Sequence, residues 1–175
     1  MSDMTDSLFI EAGMHYYVAG RHAVFAGLNP TAANLLHHAV EMALKGALAK
    51  KGLELKALKR LYHDLPEIWR EFKAQYGIND SAFDGVIDEL QKFETIRYPD
   101  EIVKKGLKSE MGRGKRPSQL SGDPTHTLWL GEIDELMDKV FTDGSISHAA
   151  FVGCLLMPEA KEYLLKENEV AAWKQ

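Results

Sequence analysis

Small and apolar residues recur at helical intervals across residues 31–50, and this pattern constrains the fold of the chain more than any other. Apolar residues recur at intervals of four, three and four: Leu36, Val40, Ala43 and Ala47. That spacing is typical of one face of a helix. Asn29-Pro30 before the segment predicts a capped start with proline in the first turn, and Gly52 predicts its stop. Small residues on this helix would let a neighbouring helix approach closely: Ala39, Ala43, Gly46 and Ala47.

Similar periodicity predicts helices along most of the remaining chain. Asp64 followed by Glu67 predicts a helix start with reciprocal capping, which Pro66 supports, and Gly77 predicts the end of that helix. We expect further helices at residues 9–25, 54–62, 83–93, from about Leu128 to Asp143-Gly144, from Ser147 through Leu156, and from Pro158 to Leu165. No convincing run of alternating apolar and polar residues predicts a strand. The fold class is therefore expected to be all-α, a helical bundle.

Composition favours a soluble globular protein. Hydrophobic residues make up 45% and charged residues 27% of the 175 residues, as is usual for such proteins. The formal net charge of −5 disfavours nucleic-acid binding over the whole surface. The single cysteine, Cys154, lies in apolar sequence, so we expect it in the core of a protein from a reducing, cytoplasmic setting. The acidic start predicts no secretory signal, and no stretch approaches the roughly 20 apolar residues of a membrane helix.

Three parts of the chain differ in character. Residues 1–105 carry the main helical pattern, and we expect them to form one bundle. Residues 106–127 are rich in glycine and proline with few large apolar side chains, which predicts a long loop, mobile or partly strand-like. Residues 128–175 are expected to form a helical extension packed on the same domain.

Three short stretches occur in a fixed order within the first part. They are His38–Lys45, Tyr62–Leu65 and Phe93–Asp100, the last containing Arg97-Tyr98-Pro99-Asp100. Together they resemble the HEPN family of small helical domains, over roughly residues 8–105. The resemblance implies an antiparallel helical bundle, nucleotide binding in some members, and either a homodimer through the first helices or association with a nucleotidyltransferase.

Glu41 and Lys45 are expected to be structural polar residues of this bundle. They lie four residues apart. A pair at that spacing stabilises a helix by about 0.2–0.5 kcal/mol. We also expect Glu41 to pair with Arg97 inside the bundle.

Ribonucleases of this family carry arginine followed, after four to six residues, by histidine. Histidine moves a proton near neutral pH, and arginine binds the phosphate through two hydrogen bonds. The spacing is absent here: Arg21 adjoins His22, Arg60 has only two residues before His63, and after Arg97 no histidine occurs until His126. We therefore expect no ribonuclease chemistry of this kind, and no catalytic residue is assigned.

Two interpretations remain open for His63, Asp64 and Arg97. They could line a nucleotide or proton-transfer site, or Asp64 could cap a helix while Arg97 bonds carbonyls or an acid at a helix end. The structural interpretation is favoured.

His37 and Glu41 lie one helical turn apart, but two ligands do not make a metal site, so no metal and no cofactor are expected.

The segment from 104 to 116 is the other candidate site. It contains only one acidic residue, Glu110. Its six basic residues are Lys104, Lys105, Lys108, Arg113, Lys115 and Arg116. Such a loop could hold phosphate groups by charge and backbone N–H groups, although its glycines do not match a P-loop. The alternative is a solvated loop that only adds solubility.

Two functions are compatible with these patterns. The first is a non-catalytic domain that works by dimerisation or by association with a partner such as a nucleotidyltransferase, for which Tyr16, Tyr17 and Phe25 offer interface surface. The alternative is a nucleotide- or RNA-binding module that uses the basic loop with His63 and Arg97 in a pocket between helices.

Overall fold

The computed structural model describes residues 2–94, 103–104, 106, 108–118, 120 and 124–174, with side chains from residue 5 onwards. Helices dominate these residues, which confirms the all-α prediction at the level of fold class. In chain order the elements are α1 (Ser2–Phe25), α2 (Asn29–Lys50), α3 (Leu55–Arg60), α4 (Leu65–Tyr76), α5 (Asp84–Glu94), β1 (Ser109–Gly112), β2 (His126–Trp129), α6 (Leu130–Asp143), α7 (His148–Gly153), α8 (Pro158–Leu165) and a 3-10 turn, Ala171–Lys174.

The second helix is the centre of the bundle. It contacts α1 along its length and also touches α3, α4, α5 and α6, so most of its side chains are buried. The close approach predicted from its small residues is confirmed, because a Cβ atom added to Gly46 would lie 2.6 Å from Cγ1 of Ile10 on α1. An added Cβ at Gly13 would likewise lie 3.0 Å from the amide nitrogen of Ala43. α1 and α2 therefore form a helical hairpin in which backbones nearly touch.

Local capping signals are confirmed at three helix ends. Asp64 accepts a hydrogen bond of 3.0 Å from the amide of Glu67 at the start of α4, as helix-capping residues do. Gly77 ends that helix in the left-handed conformation at φ 66°, which glycine adopts without strain. Ser147 caps α7 by accepting from the amide of Ala150. The reciprocal half of the Asp64 cap is absent, because the Asp64 amide donates to the carbonyl of Leu61 while the Glu67 carboxylate pairs with Arg70.

Three other expectations about local structure are wrong. α2 already includes Asn29, so this residue is not the cap, and Leu28 precedes the helix without a side-chain cap. Cys154 is exposed rather than in the core, because α7 ends at Gly153 and the buried apolar side chains here are those of Phe151 and Leu155. The predicted continuation of α7 to Leu156 is therefore also too long.

A short parallel strand pair precedes α6. β1 and the start of β2 lie in the segment predicted as a loop, mobile or partly strand-like, whereas Leu128 and Trp129 were predicted to begin a helix. β1 and β2 pair in the register Ser109 to His126, and all four residues of β2 are buried. Gly112 allows the pairing because a Cβ atom there would overlap the Trp129 ring. The amide of Thr127 donates to Glu89 on α5 over 3.0 Å, which anchors the pair to the bundle. Leu128 and Trp129 thus lie in a strand, and the helix starts at Leu130.

The C-terminal helices lie against the first helix through a buried polar network. Arg21 on α1 forms an ion pair with Asp134 on α6, and its Nε donates to the carbonyl of Tyr163 on α8 over 2.9 Å. Tyr17 donates to the same carboxylate.

Among the described residues, no helix combines the length and apolar composition needed to cross a membrane.

Candidate functional site

A group of imidazole and charged side chains surrounds one buried carboxylate on α2. Glu41 is fully buried, and three side chains approach it: Lys45 Nζ at 2.7 Å from Oε1, His38 Nδ1 at 3.3 Å from Oε2, and His63 Nδ1 at 3.0 Å from both oxygens. His37, one turn before Glu41, is buried beside them. We call these five residues the Glu41 cluster. The predicted pair between Glu41 and Lys45 is confirmed.

Electrostatics in the Glu41 cluster favour an ionised Glu41 carboxylate beside a neutral His37 ring. Burial by itself raises the pKa of Glu41, but hydrogen bonds from His38, His63 and Lys45 outweigh this effect and lower that pKa to about 2, because they stabilise the charged form. Burial also lowers the pKa of His37, and nearby Glu94 and Glu41 oppose this only in part. Near neutral pH the cluster therefore holds an ionised Glu41, paired with Lys45, within reach of three imidazole rings.

The turn after α3 brings His63 to the cluster from outside α2. Lys45 donates a second hydrogen bond to the carbonyl oxygen of Tyr62, whose backbone adopts a positive φ of 45°. This bond holds the turn against α2, and the Asp64 cap then starts α4. As a result the His63 ring reaches Glu41 while 55% of its side chain stays exposed, and the side chain of Tyr62 points into solvent at 75% exposure.

Asp64 and Arg97 were both candidate site residues, and the structure describes only Asp64. Asp64 lies in the described part of the chain as the exposed cap of α4, which is the structural interpretation that the sequence favoured. Arg97 lies outside the described residues, so the expected Glu41–Arg97 pair stays a prediction. The described partners of the Glu41 carboxylate are His38, Lys45 and His63.

The cations of the predicted basic loop lie against acidic side chains. Lys115 pairs with Glu135 on α6 at 2.5 Å, Arg116 with Glu132 at 3.4 Å, and Arg113 lies 3.9 Å from Glu167. The guanidinium of Arg113 also stands over the Phe25 ring, 5.0 Å from its centroid. These contacts anchor the loop to the body of the protein and partly neutralise its charge.

Three further basic residues were named for this loop. Lys104 and Lys108 are exposed, and Lys105 lies outside the described residues. Whether the basic loop contacts phosphate stays a prediction.

A basic surface that was not predicted from the sequence lies on α3. Lys56, Lys59 and Arg60 are all exposed, and none of them forms an ion pair with a residue that the structure describes. Together with Leu55 and Tyr62 they line an open groove of about 660 Å³, which we call the α3 groove. The spacing of Lys56 to Lys59 and Arg60, three and four residues, was the available signal, because it places cations on one helix face.

Comparison of the chain with models of protein families, with curated proteins and with solved structures finds no match. Its function is therefore inferred from the residues of this chain alone.

Proposed function

We propose that this protein is a HEPN-like helical domain that binds nucleotides or short single-stranded RNA in the α3 groove. The observation that carries the proposal is the combination of three cations without a described acidic partner and an exposed tyrosine around one groove. This is the nucleotide- or RNA-binding alternative from the sequence, moved from the basic loop to α3.

Charge on α3 suits phosphate better than charge on the basic loop. A ligand phosphate that binds Arg113, Lys115 or Arg116 competes with the carboxylates of Glu167, Glu135 or Glu132. Lys56, Lys59 and Arg60 carry no such competitor among the described residues, so their charge is available to a ligand. The net charge of −5 for the whole chain makes this a local patch, which favours contact with a few phosphates over coating by long nucleic acid.

Tyr62 supplies the second element of recognition. Its exposed ring follows the basic helix directly, where a base can stack on it while the adjoining phosphates contact the cations. The hydrogen bond between Lys45 and the Tyr62 carbonyl holds the backbone of this residue in place. The neighbouring His63 offers a further exposed polar group at the edge of the groove.

The proposal is tested by titrating the full chain with short single-stranded RNA and with mononucleotides at two salt concentrations. A variant with Lys56→Ser, Lys59→Ser and Arg60→Ser should bind RNA at least tenfold more weakly than the wild type. If all three cations contact phosphates, the slope of log affinity against log salt for single-stranded RNA should be about −2 and should flatten in the variant.

Two matched controls test whether the α3 groove, rather than the basic loop, binds RNA. The variant with Arg113→Ser, Lys115→Ser and Arg116→Ser removes the same number of cations from the basic loop, and it should change affinity less than threefold. Tyr62→Ala should weaken binding, whereas Tyr62→Phe, which keeps the ring, should not. Loss of binding in the loop variant but not in the α3 variant would overturn the assignment to α3.

Association with a second copy or with a nucleotidyltransferase is the other candidate. Two features on which it was based are used inside the monomer: Tyr17 is fully buried, and the small residues of α2 face α1. Tyr16 remains 39% exposed and packs on His38. Solution mass across a wide concentration range tests the homodimer, and a monomer at the highest concentration would exclude it.

A further inference from the structure

The Glu41 cluster contains a group of possible metal ligands that the proposed RNA binding does not involve. His37, His38 and Glu41 each place one potential ligand atom within 4.8 Å of those of the other two. All three residues lie on adjoining faces of one rigid helix, so their relative positions are set by the backbone of α2.

His37 is an independent sign that the group binds a ligand. Its side chain is fully buried, and neither ring nitrogen makes a hydrogen bond of standard geometry with a residue that the structure describes. The Oε2 atom of Glu94 lies 3.7 Å from Nδ1, which is beyond hydrogen-bond distance. The side chain of Gln91 is a further polar neighbour of the ring. Buried polar atoms are nearly always closely paired in native proteins, so a buried imidazole whose described neighbours make no hydrogen bond of standard geometry has room for a ligand.

The carboxylate is oriented with one side towards the histidines. Lys45 holds Oε1 at 2.7 Å, His38 Nδ1 lies 3.3 Å from Oε2, and His63 Nδ1 lies 3.0 Å from both oxygens. The two histidine distances are close to the roughly 3.3 Å between neighbouring ligand atoms around a tetrahedral zinc ion with bonds of about 2.0 Å. The same atoms can therefore either share hydrogen bonds or converge on one cation.

We propose that His37, His38 and Glu41, with His63 as the fourth ligand, bind one transition-metal ion of the zinc type. Imidazole favours zinc, cobalt, nickel and copper over magnesium and calcium, which prefer oxygen ligands. His63 closes the site from the solvent side, since its exposed ring can turn without disturbing the core. Glu94 lies near the His37 ring, where a carboxylate can orient it, as carboxylates commonly do for ligating histidines.

This proposal does not depend on RNA binding, and it runs against the expectation of no metal. That expectation was based on spacing along the sequence, which offered two ligands, His37 and Glu41, on one face of the helix and placed His38 on the adjoining face. Helix spacing did not show that His38 turns its Nδ1 to the same carboxylate, nor that a residue from another turn joins them.

The test uses the full chain without a histidine tag, stripped with a chelator and then titrated with Zn²⁺ against a competing dye. We expect one Zn²⁺ per chain with a dissociation constant at or below micromolar, and a melting temperature that rises with Zn²⁺ concentration. Substitution with Co²⁺ should give the visible absorption of a four-coordinate site. Absence of stoichiometric binding at micromolar Zn²⁺ would overturn the proposal.

Variants at the edge of the cluster keep the test independent of folding. His38→Gln and His63→Gln should each weaken Zn²⁺ binding at least tenfold while the far-UV circular dichroism stays that of the wild type. His22→Gln, which removes an exposed imidazole stacked on Tyr163, is the matched control and should leave binding unchanged. Equal affinity in all three variants would show adventitious surface binding and would also overturn the proposal.

Discussion

The hydroxyl of Tyr17 donates a hydrogen bond of 2.6 Å to Oδ1 of Asp134, a residue 117 positions later in the chain. Arg21 forms an ion pair with the same oxygen, and all three side chains are buried. Burial and the neighbouring negative charge of Asp134 raise the pKa of Tyr17, so its hydroxyl remains a donor at all ordinary pH values. The first helix and the C-terminal helices are thus joined by one charged contact in the core.

Asp134→Ala should strongly destabilise the protein. Removing the carboxylate leaves the Arg21 charge buried without its partner, which costs about 3–5 kcal/mol in comparable cases. Urea denaturation followed by circular dichroism measures the loss. Glu135→Ala removes the neighbouring half-buried carboxylate, which pairs with Lys115 at the surface, and should cost less than about 1 kcal/mol. A similar small loss for both variants would contradict the importance of the buried pair.

The ionised state of Glu41 should make stability depend on pH in the acid range. Its pKa is about 2 in the folded protein, against 4.5 for the free side chain. The unfolded chain therefore binds the proton first as pH falls, so the stabilising contribution is complete above about pH 4.5 and is lost between there and about pH 2. By linkage this contribution amounts to roughly 3 kcal/mol.

Comparison of wild type with Glu41→Gln tests this pH dependence. The difference in the free energy of unfolding, measured in chelator-containing buffers, should be largest at pH 6 and should shrink towards pH 3. Glu11 is an exposed glutamate of α1. Its replacement, Glu11→Gln, should alter stability by no more than about 0.5 kcal/mol at both pH values. A difference for Glu41→Gln that is the same at pH 6 and pH 3 would argue against the lowered pKa.

Gly112→Ala should disrupt the packing of the strand pair. The added methyl group would overlap the ring of Trp129, and neither the buried ring nor the paired backbone can move freely. Overpacking of this kind costs about 1–3 kcal/mol. Gly114→Ala, two residues later, meets open space and is the control in thermal denaturation. Equal melting temperatures for the two variants would show that β1 is not held against Trp129.

Asp64→Ala should destabilise α4, because the amide of Glu67 loses its acceptor. Loss of a helix cap costs about 0.5–2 kcal/mol, which urea denaturation can measure. Asp64→Ser retains an acceptor and should recover most of the loss. The same pair of variants distinguishes the two interpretations of this residue. If Asp64 is a cap alone, both variants should bind RNA as well as the wild type does, once folded.

Features set by neighbours in the chain were largely predictable. The periodic apolar positions predicted α1, α2, α4 and α5, since a helix buries one face whatever it packs against. The Asp64, Gly77 and Ser147 signals were equally local, because each satisfies backbone groups within a few residues. The pair Glu41–Lys45 followed from its spacing of four.

Features that depend on residues distant in the chain could not be predicted from the sequence. Leu128 and Trp129 are residues suited to either helix or strand, and the choice depended on pairing with β1. The charge of the basic loop appeared available until α6 placed Glu132 and Glu135 beside Arg116 and Lys115.

The sequence by itself determined that this chain forms amphipathic helices and where most of them begin and end, because hydrogen bonding and burial within a helix are local. Only the tertiary structure decided that His63 from a turn meets His38 and Glu41 from α2, and that α3 rather than the loop keeps its cations without described partners. Both the contacts of His63 and the lack of described acidic partners on α3 depend on residues that are far apart in the chain. They arise because α3 and α4 both pack on α2, which fixes the position of the turn between them relative to Glu41.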